Sequence, residues 1–205
     1  TQVTEVGDID SPNAYFMATF QNGLTAYYKT QVKPLSARAT LTWNETWLED
    51  TDGDVISYNY DTSHPGEVLL HEIRYSGQDD HGVIKDGRQA IRYEYETRPD
   101  IDSSFLAGGE TRQTQRITAI VMGVERAKVF GGFQKKFEYE FHYATSHSSG
   151  RSLLVAVTRC EFVDQNSKEC DAATTISWQD GAVSFSAPLA YSVQKPDQSQ
   201  YRDWQ

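Results

Sequence analysis

Between Lys136 and Tyr143 the chain alternates without a break. Phe137, Tyr139, Phe141 and Tyr143 are separated by Glu138, Glu140 and His142, with Lys136 in front. A period of two puts one set on each face of an extended chain, so this segment predicts a strand with one aromatic and one solvated face. Ile91, Tyr93 and Tyr95 alternate in the same way with Arg92, Glu94 and Glu96, and Leu69, His71, Ile73 and Tyr75 share a face in the run before them. Such patterns belong to half-buried antiparallel strands. Comparable runs recur near 15–21, 24–30, 40–48, 55–61, 68–76, 90–97, 114–124, 133–143, 153–162 and 174–185, giving about ten strands. No segment carries a helical stripe. The expected fold is all-β, an antiparallel β-sandwich or a strongly curved open sheet, with Trp178, Phe137, Tyr139, Phe141, Ile91, Tyr93 and Ile73 buried.

The punctuation between runs is turn chemistry. Asn22-Gly23 tolerates positive φ and closes a hairpin between Ala18–Phe20 and Leu24–Ala26, and Asp52-Gly53-Asp54 does the same between Trp47 and Val55. Residues 76–89, polar and rich in Asp and Gly, read as a mobile surface loop. Pro99 pushes Arg98 toward an extended conformation and is expected to end its ladder, which makes Arg98-Pro99-Asp100 a structural element rather than a binding one. The β domain is expected over 1–187. Residues 188–205, where the pattern fades, read as a linker toward a following domain.

Composition sharpens this picture. Aromatics make up 12% of the chain, which favours strands. Nineteen Lys and Arg against twenty-nine Asp and Glu leave a formal charge of −10. A chain so charged is repelled by a phosphate backbone, which argues against nucleic acid as partner. No run approaches the roughly 18 apolar residues of a membrane-spanning helix. The opening TQVTEVGD has neither a Met start nor a signal-peptide pattern, so the chain reads as part of something longer.

Candidate chemistry is sparse. Asp50, Asp52 and Asp54 around Gly53 suggest a calcium loop, but an EF-hand places Gly sixth and a Glu twelfth, and here Gly53 is fourth and Asp61 twelfth. The plain hairpin turn is the better reading. The five His residues, at 64, 71, 81, 142 and 147, lack the spacing of a zinc site. Glu138 with Glu140, or Glu94 with Glu96, would sit roughly 7 Å apart on one strand face, a permissible glycosidase spacing, yet the same pattern is the polar face of an ordinary strand. No Gly-x-Ser-x-Gly elbow accompanies Ser148, Ser149 or Ser152. Cys160 and Cys170 flank a polar hairpin tip; the reading adopted is a disulfide, the alternative two free thiols.

Taken in order, FQNGLTAYY (20–28), TWLEDTDGDVISYNYD (46–61), VLLHEIRYSG (68–77), IRYEYETRPDIDSSFLAGGETRQTQRITAI (91–120), FEYEFHYATSHSSGRSLLVAVTRC (137–160) and CDAATTISW (170–178) resemble the family of the Salmonella plasmid virulence protein B, the B components of insecticidal Tc toxins and related RHS proteins. Residues 46–61 also look like one RHS or YD repeat, a Gly turn followed by a strand ending Tyr58-Asn59-Tyr60-Asp61. The resemblance implies RHS-like hairpins, a shape-determining turn at Arg98-Pro99-Asp100 in which Arg98 pairs with a carboxylate, and a region just before an FG-GAP-like propeller. It further implies a non-catalytic structural module of a large secreted toxin, helping to form or cap the β shell around a toxic C-terminal segment. The partners implied are the propeller, the RHS shell and a Tc-type translocation component, with no cofactor. An ADP-ribosylating activity in this family belongs to a separate C-terminal domain, and none of its motif residues are assigned here. The competing function is a carbohydrate- or protein-binding β-sandwich with Trp43, Trp47 or Trp204 as a stacking platform.

Overall fold

The computed structural model describes residues 1–106, 108–126, 132–179 and 181. They form one open antiparallel sheet of thirteen strands, and no helix occurs among them. The strands are β1 (Gln2–Val6), β2 (Tyr15–Thr19), β3 (Thr25–Val32), β4 (Thr42–Glu49), β5 (Asp54–Asp61), β6 (Leu69–Asp80), β7 (Val83–Lys85), β8 (Gln89–Leu106), β9 (Gly109–Glu125), β10 (Phe133–Thr145), β11 (Ser152–Phe162), β12 (Lys168–Cys170) and β13 (Thr174–Thr175). Each lies beside its predecessor, except that β7 turns back on β6 and leaves β8 to continue the sheet, and β13 joins β12 on β11. Such a meander follows from short, turn-rich connections.

Register makes the two faces explicit. One cross-strand row runs Tyr58, Ile73, Ile91, Met122, Phe137, and the next Tyr93, Ile120, Tyr139. The opposite face carries Asn59, Glu72, Arg92, Val121, Glu138, Cys160 and Cys170, one from each strand along the path from β5 to β12. The apolar alternations of β8 and β10 thus fall on one face. In β6 a bulge at His71 puts Leu70, opposite Tyr60, on the face of Ile73 and Leu69 on the other, against the single face expected for Leu69, His71, Ile73 and Tyr75.

Several expectations require correction. Of the two expected architectures the open sheet is the one formed, since the described residues make a single sheet. The thirteen strands exceed the expected ten by β1 and the short β7 and β12, which lack an apolar alternation that would mark them in the sequence. Residues 76–89 are largely a hairpin extension: His81 and Gly82 both adopt positive φ, Asp79 accepts the Gly82 amide at 2.6 Å, and β7 pairs back on β6. Pro99 does not end its ladder. Residues 98–101 oppose Thr114 alone, and pairing resumes at Asp102 with Gln113, so the proline sits in a large bulge. Trp178 is 54% exposed rather than buried, donating its indole N–H to the Leu154 carbonyl at 2.7 Å beside the short edge strand β13. Phe137, Tyr139, Phe141, Ile91, Tyr93 and Ile73 are half-buried, since a single layer covers only one side of them. The part of 174–185 beyond 181 and the linker 188–205 lie outside the described residues.

The bulge bends the distal β8–β9 hairpin into an arm that reaches other parts of the sheet. Leu35 and Glu110 exchange backbone hydrogen bonds at 2.7 and 3.1 Å, the Arg112 amide donates to Gly66 O at 2.9 Å, and Glu67 accepts from the amide and hydroxyl of Thr114 at 2.8 and 2.7 Å. At the arm's end Phe105 and Leu106 are 82% and 54% exposed.

Candidate functional site

The polar face is organised as ion pairs. Glu72, buried on β6, accepts from Arg74 Nε at 2.5 Å and Arg92 Nε at 2.7 Å, while Arg92 Nη2 also donates to Glu125 at 2.9 Å and its guanidinium lies 3.8 Å from the Phe133 ring centre. Burial alone would push the Glu72 carboxyl up. The hydrogen bonds from Arg74 and Arg92 outweigh it and hold the group below the ordinary range. The cluster ties β6, β8 and β9 together.

A second group lies along the same face. Lys168 on β12 donates to Glu138 at 2.6 Å and to Glu140 at 2.5 Å, and its bonds to these two carboxylates raise the lysine above its ordinary value. Beneath it Cys160 and Cys170 are joined in a disulfide, Cys160 with no exposed surface and Cys170 exposed. The two are direct cross-strand partners in the β11–β12 hairpin.

The other carboxylates considered in the sequence also meet cations: Glu94 is 3.4 Å from Lys135 and Glu96 2.6 Å from Arg116. Asp50 accepts the amides of Asp52 and Asp54, both at 2.9 Å, and Gly53 has φ 80°, which shapes a tight turn. Arg98 forms a two-pronged pair with Asp100 at 2.9 and 3.2 Å. Asp100 also accepts from the Ser152 amide and hydroxyl, so it is held far below the ordinary carboxylate range, by Arg98 first and Ser152 next.

One carboxylate escaped sequence reasoning. Glu45 stands on the apolar face beside Phe20, Leu24, Tyr28, Leu48 and Tyr58, in a shallow hollow of about 280 Å³, and burial pushes its carboxyl up. Parity hid it: the bulge that skips Thr46 puts Glu45 on the face of Leu48 and Tyr28, while Trp47 pairs with Tyr27 on the other. The aromatic platform considered for a sugar is covered from within. Tyr27 stacks on Trp47 at 4.5 Å, Lys29 Nζ sits 4.1 Å from the Trp47 ring centre, and Trp43 meets Phe16 edge-on at 4.9 Å. Trp204 lies outside the described residues.

No family model and no curated protein matches the sequence. Solved structures do. The crystal structure of TcdB2-TccC3-Cdc42 superposes with a TM-score of 0.68 at 13% identity, covering 82% of this chain and 10% of that one. The chain shares its fold with Tc-toxin components. The Photorhabdus luminescens Tc holotoxin pore gives a TM-score of 0.67 at 13% identity, again over 82% of this chain and 10% of that one. The N-terminal domain of the effector protein SpvB from Salmonella typhimurium strain LT2 gives 0.55 at 12% identity, over 81% of this chain and 62% of that one. These are the proteins to which the sequence elements between 20 and 178 point. The chain spans about a tenth of the Tc chains it matches. No helix among the described residues is long and apolar enough to cross a membrane.

Proposed function

We propose that this chain is a non-catalytic wall module of a large secreted toxin of the Tc and RHS type, helping to form or cap a β shell around a toxic C-terminal segment. The observation that carries the reading is the unaccompanied apolar face. The buried apolar side chains among the described residues are mostly small, namely Ala14, Ala18, Ala26, Ala90 and Ala119, with Val55, Val121 and Cys160. Tyr58, Ile73, Ile91, Met122, Phe137 and Tyr139 remain half-covered. A domain normally buries such a face against a second layer. A wall segment finds that layer in its neighbours, here a propeller and the remaining RHS shell, with a Tc-type translocation component as a further partner. The likeness to Tc-toxin structures supports this choice, and a disulfide suits export to an oxidising compartment.

The test is substitution on that face in the parent toxin. Ile91→Asp with Tyr139→Asp should abolish recovery of assembled toxin while the isolated chain keeps its strand-type far-ultraviolet spectrum. Undiminished assembly and delivery by this variant would refute the reading, as would a turnover by the isolated chain that Glu138→Gln or Glu45→Gln removes.

A further inference from the structure

We propose that reductive opening of the Cys160–Cys170 disulfide creates a zinc site, formed by the two thiolates with the Glu140 carboxylate and the His142 imidazole. Strand register brings the donors to one face. Cys160 and Cys170 face each other across β11 and β12, and Cys160 faces Glu138 across β10 and β11. Glu138, Glu140 and His142 alternate along β10, so all three lie on the face that carries the sulfurs. The Glu140 carboxylate and the two sulfurs lie within 4.8 Å of one another. Glu140 Oε2 is 3.9 Å from Cys160 Sγ and 4.0 Å from His142 Nε2. The imidazole stands outside the 4.8 Å group of the other three and joins it by rotating about its own side-chain bonds. The imidazole's nearest hydrogen-bond contact is a long 3.5 Å approach to Thr158 Oγ1.

While the disulfide is closed, neither sulfur is a thiolate and the pair ligates nothing. A dithiol reductant changes that. Its thiolate attacks Cys170 Sγ, the exposed member, the S–S bond breaks, and Cys160 leaves as thiolate. The reductant's second thiol then displaces Cys170 from the mixed disulfide. Two electrons and two protons pass to the cysteines, and the reductant ends as its own disulfide. Zinc next displaces one proton from each thiol, so the sulfurs part to the roughly 3.7 Å that two tetrahedral bonds of about 2.3 Å demand. Two thiolates, one carboxylate and one imidazole are a donor set suited to zinc.

Charge is accounted for as well. Two thiolates and Glu140 carry −3 against +2 on the metal. Lys168, now bonded to both Glu138 and Glu140, stands beside the remaining negative charge and keeps Glu138 as its partner at 2.6 Å when Glu140 turns to the metal. The reductant's access is through Cys170, since Cys160 has no exposed surface.

The experiment uses the 205-residue chain, reduced with a dithiol, desalted without oxygen and titrated with zinc chloride, with cobalt(II) as the spectroscopic probe. The reduced chain should retain one zinc and the oxidised chain none. Cobalt should show sulfur-to-metal charge-transfer bands, absent in Cys170→Ser. Glu140→Gln and His142→Ala keep the disulfide through folding, and after reduction each should bind zinc at least tenfold more weakly. A reduced chain with its strand spectrum intact and two titratable thiols that retains no zinc would overturn the proposal. So would undiminished zinc affinity in both Glu140→Gln and His142→Ala, since two thiols alone would then explain the binding.

Discussion

Asp100 in the β8 bulge accepts hydrogen bonds from both the amide and the hydroxyl of Ser152 at the start of β11, at 2.8 and 2.5 Å. In sheet order β9 and β10 lie between those strands. Three flat inter-strand spacings would separate them by roughly 14 Å. The contact therefore fixes how sharply the arm bends over the sheet.

Asp100→Asn should lower stability by about 1.5–3 kcal/mol, the range for hydrogen bonds to a charged group. The pH dependence has a definite sign. A carboxyl whose folded value lies below its unfolded one contributes stability that is present above the unfolded value and lost as pH falls toward the folded one. The native chain should thus lose stability below about pH 4, and Asp100→Asn should lose less over the same interval. Urea midpoints measured between pH 7 and pH 3 check both statements.

Tyr139 tests the missing layer by comparison of two settings. It is half-buried in the isolated sheet, so Tyr139→Ala should cost well under the 3–5 kcal/mol of a fully buried aromatic. In the parent toxin the same change should reach that range and lower the yield of assembled protein, while the specific activity of released cargo stays unchanged. Denaturation of the isolated chain and recovery of the assembled toxin measure the two costs.

Gly123 on β9 has no room for a side chain. A Cβ there would fall 2.3 Å from the Gln134 carbonyl oxygen and 2.6 Å from the Phe133 ring. Gly123→Ala must therefore push β10 away from β9, and a loss of more than about 2 kcal/mol is expected, above the usual cost of a single change. Thermal unfolding should register it, and amide exchange should quicken first in Phe133–Lys135.

Reduction of the disulfide should lower stability by about 3 kcal/mol, because closing so short a loop restricts the unfolded chain. The spectrum should remain that of a sheet, since β11 still pairs with β10 along most of its length. Denaturant midpoints with and without a dithiol, in the presence of a chelator, provide the measurement.

Strand identity was legible wherever burial is one-sided. A period of two survives in Ile91, Tyr93 and Tyr95 and in Phe137, Tyr139 and Phe141 because water on one face and apolar cover on the other select opposite residue types. Turn chemistry was equally local: Asn22-Gly23 and Asp52-Gly53 could be read because positive φ is a property of one or two residues. Cys160 and Cys170 could be paired from a hairpin argument for the same reason. His81-Gly82 carried a turn signal too, but its polar surroundings masked the strands on either side.

The number of layers, the path of β8 past Pro99 and the exposure of Trp178 were settled only by tertiary structure. Alternation says that a face is apolar, not what covers it, so sandwich and open sheet remain equivalent until strands are placed in space. A proline removes one donor from a ladder, yet whether the chain stops or bulges depends on what waits beyond. Here Ser152 and the Thr114–Glu67 contact hold the continued arm. The cluster of Glu140, Cys160 and Cys170 joins residues 10 to 30 positions apart, and no local pattern encodes its longer spans. It exists because β10, β11 and β12 fall side by side in one register, which is a property of pairing across strands rather than of any stretch of sequence.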